Sequence, residues 1–459
     1  MVLSSSPSSL IQFLLISTMS FSLQHSLAVS PAMDPQELET LFRVMEALSS
    51  DQNWRTSYPN PCLPGSSWPG IQCKNSPTGI IGGSSHFHVY RLDLGTPPNP
   101  SCKNSATFPP EIFQLPNLES IFISQCFNHS PTRISVPLEN PQFNSPLQQL
   151  SLRANPALIG EIPPRISAMK ALQIVTLSQN SLTGSVPVGV FSLTSLVHLD
   201  LSYNLLTGSI PFEVGNLVSL VGLDLSYNNL VGPIPSSIGR LELLQKIDLS
   251  SNYLTGRIPA TFQHLNSLAF LALSNNKFSG EFPGGLSGLK NLQYFIMDDN
   301  PMFVSLPEVL GQLKRLQEIR LSNSGYSGTI PPAYSELKNL STLSLQNNRL
   351  SGGIPAGFAS LSLIFHLNLS RNSLDGAVPF NSSFFKRLGR NLDLSGNEGL
   401  CLSPAAAADG VDVGVGVCGN VMSGLETSEV TLKSSTWVDI AAAMVYLIFL
   451  SHTSVVLLL

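Results

Sequence analysis

The chain has 459 residues and a formal net charge of -5, from 24 Lys and Arg against 29 Asp and Glu. That balance argues against a nucleic-acid binder, and 43% apolar content excludes a disordered chain. A charged share of 12% leaves two explanations, a membrane-bound portion or a surface of neutral polar residues.

The chain opens on Leu10–Met19, an apolar run too short to span a bilayer, with Ser26 and Ala28 as small residues before a cut after Ala28. Residues 1–28 therefore read as a secretory signal. Asp34-Pro35-Gln36-Glu37 has the order of a helix start, with Asp as N-cap, Pro at N1 and Glu at N3. Leu38, Leu41, Phe42, Met45 and Leu48 fall on one face of that helix. Trp54 follows, then Cys62 and Cys73 on either side of Trp68, so residues 29–88 read as an N-terminal cap.

From Val89 onward the chain is periodic. The pattern LxxLxLxxN closes on Asn155, Asn180, Asn204, Asn228, Asn252, Asn276, Asn300, Ser324, Asn348, Asn372 and Asn397, with a spacing of 24 residues from Asn180 to Asn372. Two weaker copies end at Pro97 and Cys126. This is the leucine-rich repeat signature, and residues 89–400 read as an α/β solenoid of about thirteen turns. Alternation places Leu199 and Leu201 inside and Asp200 and Ser202 outside. Each turn buries its leucines only against its neighbours, and each interior Asn must satisfy its amide on loop backbone.

The outward strand positions form a grid on the concave face, most of them Ser, Thr, Asn, Gln or Asp. Two adjacent repeats differ, placing Phe270, Ala272, Tyr294 and Ile296 outward, with Asp298 and Asp299 beside them and Glu318 and Arg320 on the next strand. An apolar patch rimmed by charge is the expected form of a peptide or protein contact surface. Asp200, Asp224 and Asp248 form an acidic column, read as solvated strand text. His198 and His366 share an outward position but lie seven turns apart, too far for a common metal. Gly414–Gly419 matches GxGxxG without the strand-to-helix context that a nucleotide site needs. The reading expects no catalytic residue, metal or cofactor.

Cys401 and Cys418 lie past the last turn, remote from the other four cysteines, and should pair with each other. Cys102 and Cys126 lie in adjacent turns; they are left to pair together, with free buried thiols as the alternative. Sequons at Asn128, Asn339, Asn368 and Asn381 fit a secreted glycoprotein. Residues 401–436 read as a C-terminal cap and spacer, and residues 437–459 as a hydrophobic tail. The apolar run Ile440–Leu459 ends without basic residues, which favours a GPI-anchor signal with attachment at Ser434 over a transmembrane helix.

A second element follows each Asn: Leu182–Pro187, Leu206–Pro211, Leu230–Pro235 and Leu254–Pro259 read LxGxIP or a close variant, while Met302–Pro307 has Val304 in place of Gly. With the paired-Cys caps and the tail, these residues resemble plant leucine-rich repeat receptor-like proteins, most closely the subgroup of Piriformospora indica-insensitive protein 2, with Too Many Mouths more distant. The resemblance implies a right-handed solenoid, an extra strand at each LxGxIP element and a Cys62–Cys73 disulfide. It also implies a kinase-free receptor-like protein at the extracellular face of the plasma membrane. Such a protein would recognise a peptide or protein and act beside a receptor kinase in plant signalling, in development or defence. Two other classes stay open, a secreted inhibitor resembling polygalacturonase-inhibiting proteins and a structural cell-wall repeat protein.

Overall fold

The computed structural model describes residues 33–49, 52–63, 68–76, 86–136, 145–408 and 412–419. The expected signal peptide, the Ser434 attachment site and the Ile440–Leu459 tail lie outside the described residues.

The repeats coil into a solenoid lined by one 14-stranded sheet. Its first strand, Ile71–Ser76, pairs antiparallel with His86–Leu94, and every later pairing is parallel. Thirteen parallel strands follow from the 14 less that first one, one for each turn read from the sequence. Within a turn Leu199 and Leu201 are buried and Asp200 is half-exposed, but Ser202, expected outside, is buried, its N and Oγ turned onto Asp200 Oδ1. On the opposite side of each turn a short 3₁₀ segment, such as Val188–Ser192 or Phe212–Asn216, begins directly after the LxGxIP proline. Proline sets the backbone there and needs no donor. The core is a continuous column of aliphatic residues such as Leu199, Leu223, Ile247 and Leu271.

The Asn ladder is the polar counterpart of that column. Asn204 donates through Nδ2 to the carbonyls of Leu177, Leu201 and Ser202, and its Oδ1 accepts from Leu182 N at 3.0 Å. One amide thus ties its own turn to the preceding one at two points. At Ser324 the shorter side chain reaches fewer groups; its Oγ donates to Ser322 O at 2.8 Å.

The LxGxIP elements form a second set of parallel strands. They run as Asn155–Glu161 to Leu205–Thr207, as Val231–Pro233 to Lys277–Phe278, and as Ser327–Gly328 onward. The glycine of each element has positive φ, as at Gly256 with +81°, a conformation that costs L-residues. Val304 does not take that conformation; the positive φ moves one residue back, to Phe303 at +49°.

Both ends are closed. The helix Pro35–Leu48 is capped by Asp34, whose Oδ1 accepts from Gln36 N and Glu37 N. Glu37 does not close a capping box. It is buried, and its carboxylate accepts from Val89 N at 2.9 Å and meets His88 Nδ1 at 2.6 Å, joining the cap to the first repeat. Trp54 stacks on Trp68 with ring centroids 4.9 Å apart. The disulfides Cys102–Cys126 and Cys401–Cys418 match the pairings read from the sequence, and Cys62–Cys73 matches the one that the resemblance implies. The GxGxxG match belongs to the C-terminal cap, where Gly416–Val417 pairs with Cys401-Leu402.

Candidate concave recognition site

Strand register sets the concave face in two rows. One row runs Lys246, Phe270, Tyr294, Glu318; the other runs Asp248, Ala272, Ile296, Arg320. The sequence-derived residues Phe270, Ala272, Tyr294, Ile296, Glu318 and Arg320 therefore do sit together. The Phe270 and Tyr294 rings lie 5.8 Å apart at 43°. Tyr294 Oη donates to Gln317 Oε1 at 3.3 Å, and burial, then Glu318, push its phenol up.

The patch is less open than the sequence reading expected. Phe270, Tyr294 and Ile296 are half-buried, and Ala272 is only 4% exposed. A methyl group cannot reach the surface made by its register neighbours, Asp248 and Ile296. Ala272 is therefore a floor for the patch rather than a contact.

The four charges around the patch also differ from the sequence reading. Asp298 is committed to the scaffold, since its Oδ1 accepts from Ser322 N at 2.7 Å and Ser322 Oγ at 2.6 Å. Burial raises its carboxyl, and those Ser322 bonds oppose the rise. Asp299 has left-handed backbone and faces a separate opening beyond the strand ends, together with Phe303. Glu318 and Arg320 neutralise one another: Oε1 lies 2.5 Å from Nε, off the N–H axis, as a close ion pair rather than an aligned hydrogen bond.

The other border was missed from sequence. Lys246 Nζ lies 2.9 Å from Asp224 Oδ2 and 5.7 Å from the Phe270 ring centroid. It converts the supposed solvated acidic column into an ion cluster adjoining the aromatic patch. Burial, followed by Asp224, pushes the Asp200 carboxyl up the same way that it pushes Asp248 up to about 6. Burial acts to lower the Lys246 ammonium, but Asp224 and Asp248 outweigh it and the net direction is up. His198 is lowered by burial and then by Lys246. Gly222, between His198 and Lys246 in the row, leaves room for the imidazole; a Cβ there would meet His198 Nδ1 at 2.7 Å. The signal was available, because Lys246 occupies the same outward position as Phe270; its partner was not.

The sequons separate by location. Asn128, Asn339 and Asn381 are exposed, whereas Asn368 is half-buried on the concave sheet, where its Oδ1 accepts from Ser370 N and Oγ. Asn381 is a helix N-cap, accepting from Phe384 N at 2.9 Å.

Fold, Asn ladder and LxGxIP strands define a plant-type leucine-rich repeat solenoid. The leucine rich repeat family model matches residues 170–230, 218–278, 242–302 and 314–374. The chain is similar to plant leucine-rich repeat receptor-like proteins. It is 62% identical to Receptor like protein 29 of Arabidopsis thaliana over 175 residues, which is 38% of this chain and 36% of that protein. Likeness to the Arabidopsis thaliana Piriformospora indica-insensitive protein 2 is also present but lower, at 32% over 152 residues, 32% of this chain and 34% of that protein. The matched part thus spans about a third of each curated relative's length. Among solved structures, a plant peptide hormone receptor, RGFR1 in complex with RGF2, superposes with a TM-score of 0.59. It is 29% identical, covering 72% of this chain and 52% of that one.

Proposed function

We propose that this chain is an extracellular, membrane-associated receptor-like protein that recognises a peptide or protein on its concave face. Its partner in plant signalling is a receptor kinase. The observation that carries the reading is the pair Phe270 and Tyr294, two aromatic rings on adjacent strands of a face whose other rows are mostly polar, bordered by Lys246 on one side and Arg320 on the other. Aromatic and Arg side chains are the residue types that anchor protein interfaces. Three disulfides support an oxidising, extracellular location. The similarity to receptor-like proteins and to a peptide hormone receptor supports the class of ligand.

The test is proximity labelling on intact plant cells with the chain fused to a biotin ligase, followed by binding measurements with any receptor kinase or peptide recovered. Tyr294→Ala combined with Arg320→Ala should weaken that binding at least tenfold. Unchanged affinity in a variant with native melting behaviour would remove the concave patch from consideration.

A further inference from the structure

A second opening lies beyond the C-terminal ends of the concave strands, where the second set of strands is interrupted. In ordinary repeats the residue after the ladder Asn donates its N–H to the preceding turn: Asn229 to Leu206 O at 2.8 Å, Tyr253 to Leu230 O at 2.8 Å, Arg349 to Tyr326 O at 2.7 Å. In the repeat of Asn300 that position is Pro301, which has no N–H. The second set of strands stops at Lys277–Phe278 and resumes at Ser327–Gly328, with only an isolated bridge between Ser305 and Ser327 in the gap. Met302 N and Phe303 N turn instead to Ser324 O, at 3.0 and 3.3 Å.

Beside this interruption lies an open surface depression of about 540 Å³ bounded by Asp299, Phe303, Asn323, Gly325, Asn347 and Arg349. Its walls are built for contact. Phe303 is 60% exposed, with its backbone in the left-handed region at +49°. That is an unusual place for an aromatic residue. Gly325 makes room for it, since a Cβ there would lie 2.5 Å from a Phe303 ring carbon. The Arg349 guanidinium sits 5.4 Å from the same ring centroid and makes no ion pair among the described residues. Across the opening, the Asp299 carboxylate takes a hydrogen bond from the Asn323 side chain, and the Asn347 amide offers a partner for main-chain N–H and C=O groups. A cation stacked on an aromatic face, with its charge unpaired, matches a ligand that brings a ring and an anion side by side.

We infer that this opening binds a polypeptide segment carrying an aromatic side chain next to a carboxylate, the ring packing on Phe303 and the carboxylate pairing with Arg349. The site is separate from the concave patch and does not depend on it.

Two capped dipeptides, N-acetyl-Tyr-Glu-amide and N-acetyl-Tyr-Lys-amide, titrated into the purified full chain with saturation-transfer NMR, test the inference. The Glu peptide should bind at least fivefold more tightly than the Lys peptide. Arg349→Ala should abolish that preference, Phe303→Ala should weaken both peptides, and Tyr294→Ala should change neither. Arg349 is exposed, so its variant keeps the test decisive if Phe303→Ala fails to fold. Equal binding of the two peptides, no binding of either at millimolar concentration, or a preference that survives Arg349→Ala in a natively melting protein overturns it.

Discussion

The Lys246 ammonium lies 2.9 Å from Asp224 Oδ2 on the neighbouring concave strand. Asp200 and Asp248 belong to the same acidic row, so one cation serves three carboxylates. Removing it leaves charges that cannot be hydrated freely. Lys246→Met should destabilise the solenoid at pH 7 by about 3 kcal/mol, the usual size for breaking a buried pair from one side. Chemical denaturation at pH 7 checks the value, and the loss should be smaller at pH 5, where protons replace the missing cation.

Asp248 sets a pH dependence of definite sign. Its carboxyl is raised to about 6, by burial first and then by Asp224, with Lys246 opposing. The folded protein therefore holds a proton that the unfolded chain has released, over a window from roughly pH 4 to 6. Stability from this group is full below that window and falls as pH rises through it. Asp248→Asn should remove about 2–3 kcal/mol of that fall. Urea midpoints from pH 4 to 7 would show it; parallel profiles for the two proteins would refute it.

The ladder predicts graded losses. Asn252 Oδ1 accepts from Leu230 N, and its Nδ2 donates to the carbonyls of Leu225, Leu249 and Ser250. Asn252→Ala orphans those buried groups and should cost about 2–3 kcal/mol. Asn252→Ser should cost less, because Ser324 shows that a hydroxyl recovers part of the network. Equal losses would mean that the backbone groups find other partners.

Glycine in the second strands divides by backbone angle. Gly256→Val forces a β-branched residue to φ +81° and should destabilise by about 2 kcal/mol, read as a lowered melting temperature. The reverse change, Val304→Gly, relieves no strain, because Val304 is not left-handed and the displaced angle of that element sits at Phe303. It should be neutral or slightly destabilising.

The Cys102–Cys126 disulfide closes a separation of 24 residues between adjacent turns. Replacing both cysteines with Ser should cost about 2–4 kcal/mol through the freer unfolded chain. Because a solenoid turn contacts only its neighbours, hydrogen exchange should rise first in the N-terminal turns.

The number of turns, most of the inward and outward faces, the Asn ladder and the Cys102–Cys126 and Cys401–Cys418 pairings were legible in the sequence, while Cys62–Cys73 came from the family resemblance. Each depends on a local rule repeated along the chain: a strand period of two, a repeat period of 24 residues, and neighbour-only contact between turns. The charge arithmetic of the opening was legible in the same way. The 12% charged share has two sources in the sequence, apolar ends that dilute the charge and repeats rich in Ser and Asn.

Tertiary structure decided how individual side chains spend their contacts across turns. Asp298 looked like a ligand residue and is instead bonded to Ser322, 24 residues on. The acidic column looked solvated and is organised by Lys246. Val304 stood out in the sequence as the broken position, yet Phe303 carries the displaced backbone angle. Periodicity assigns each residue to a face. Which neighbour it reaches on that face depends on side-chain length, hydrogen-bond direction and local backbone angle, and these are resolved only when the turns are stacked.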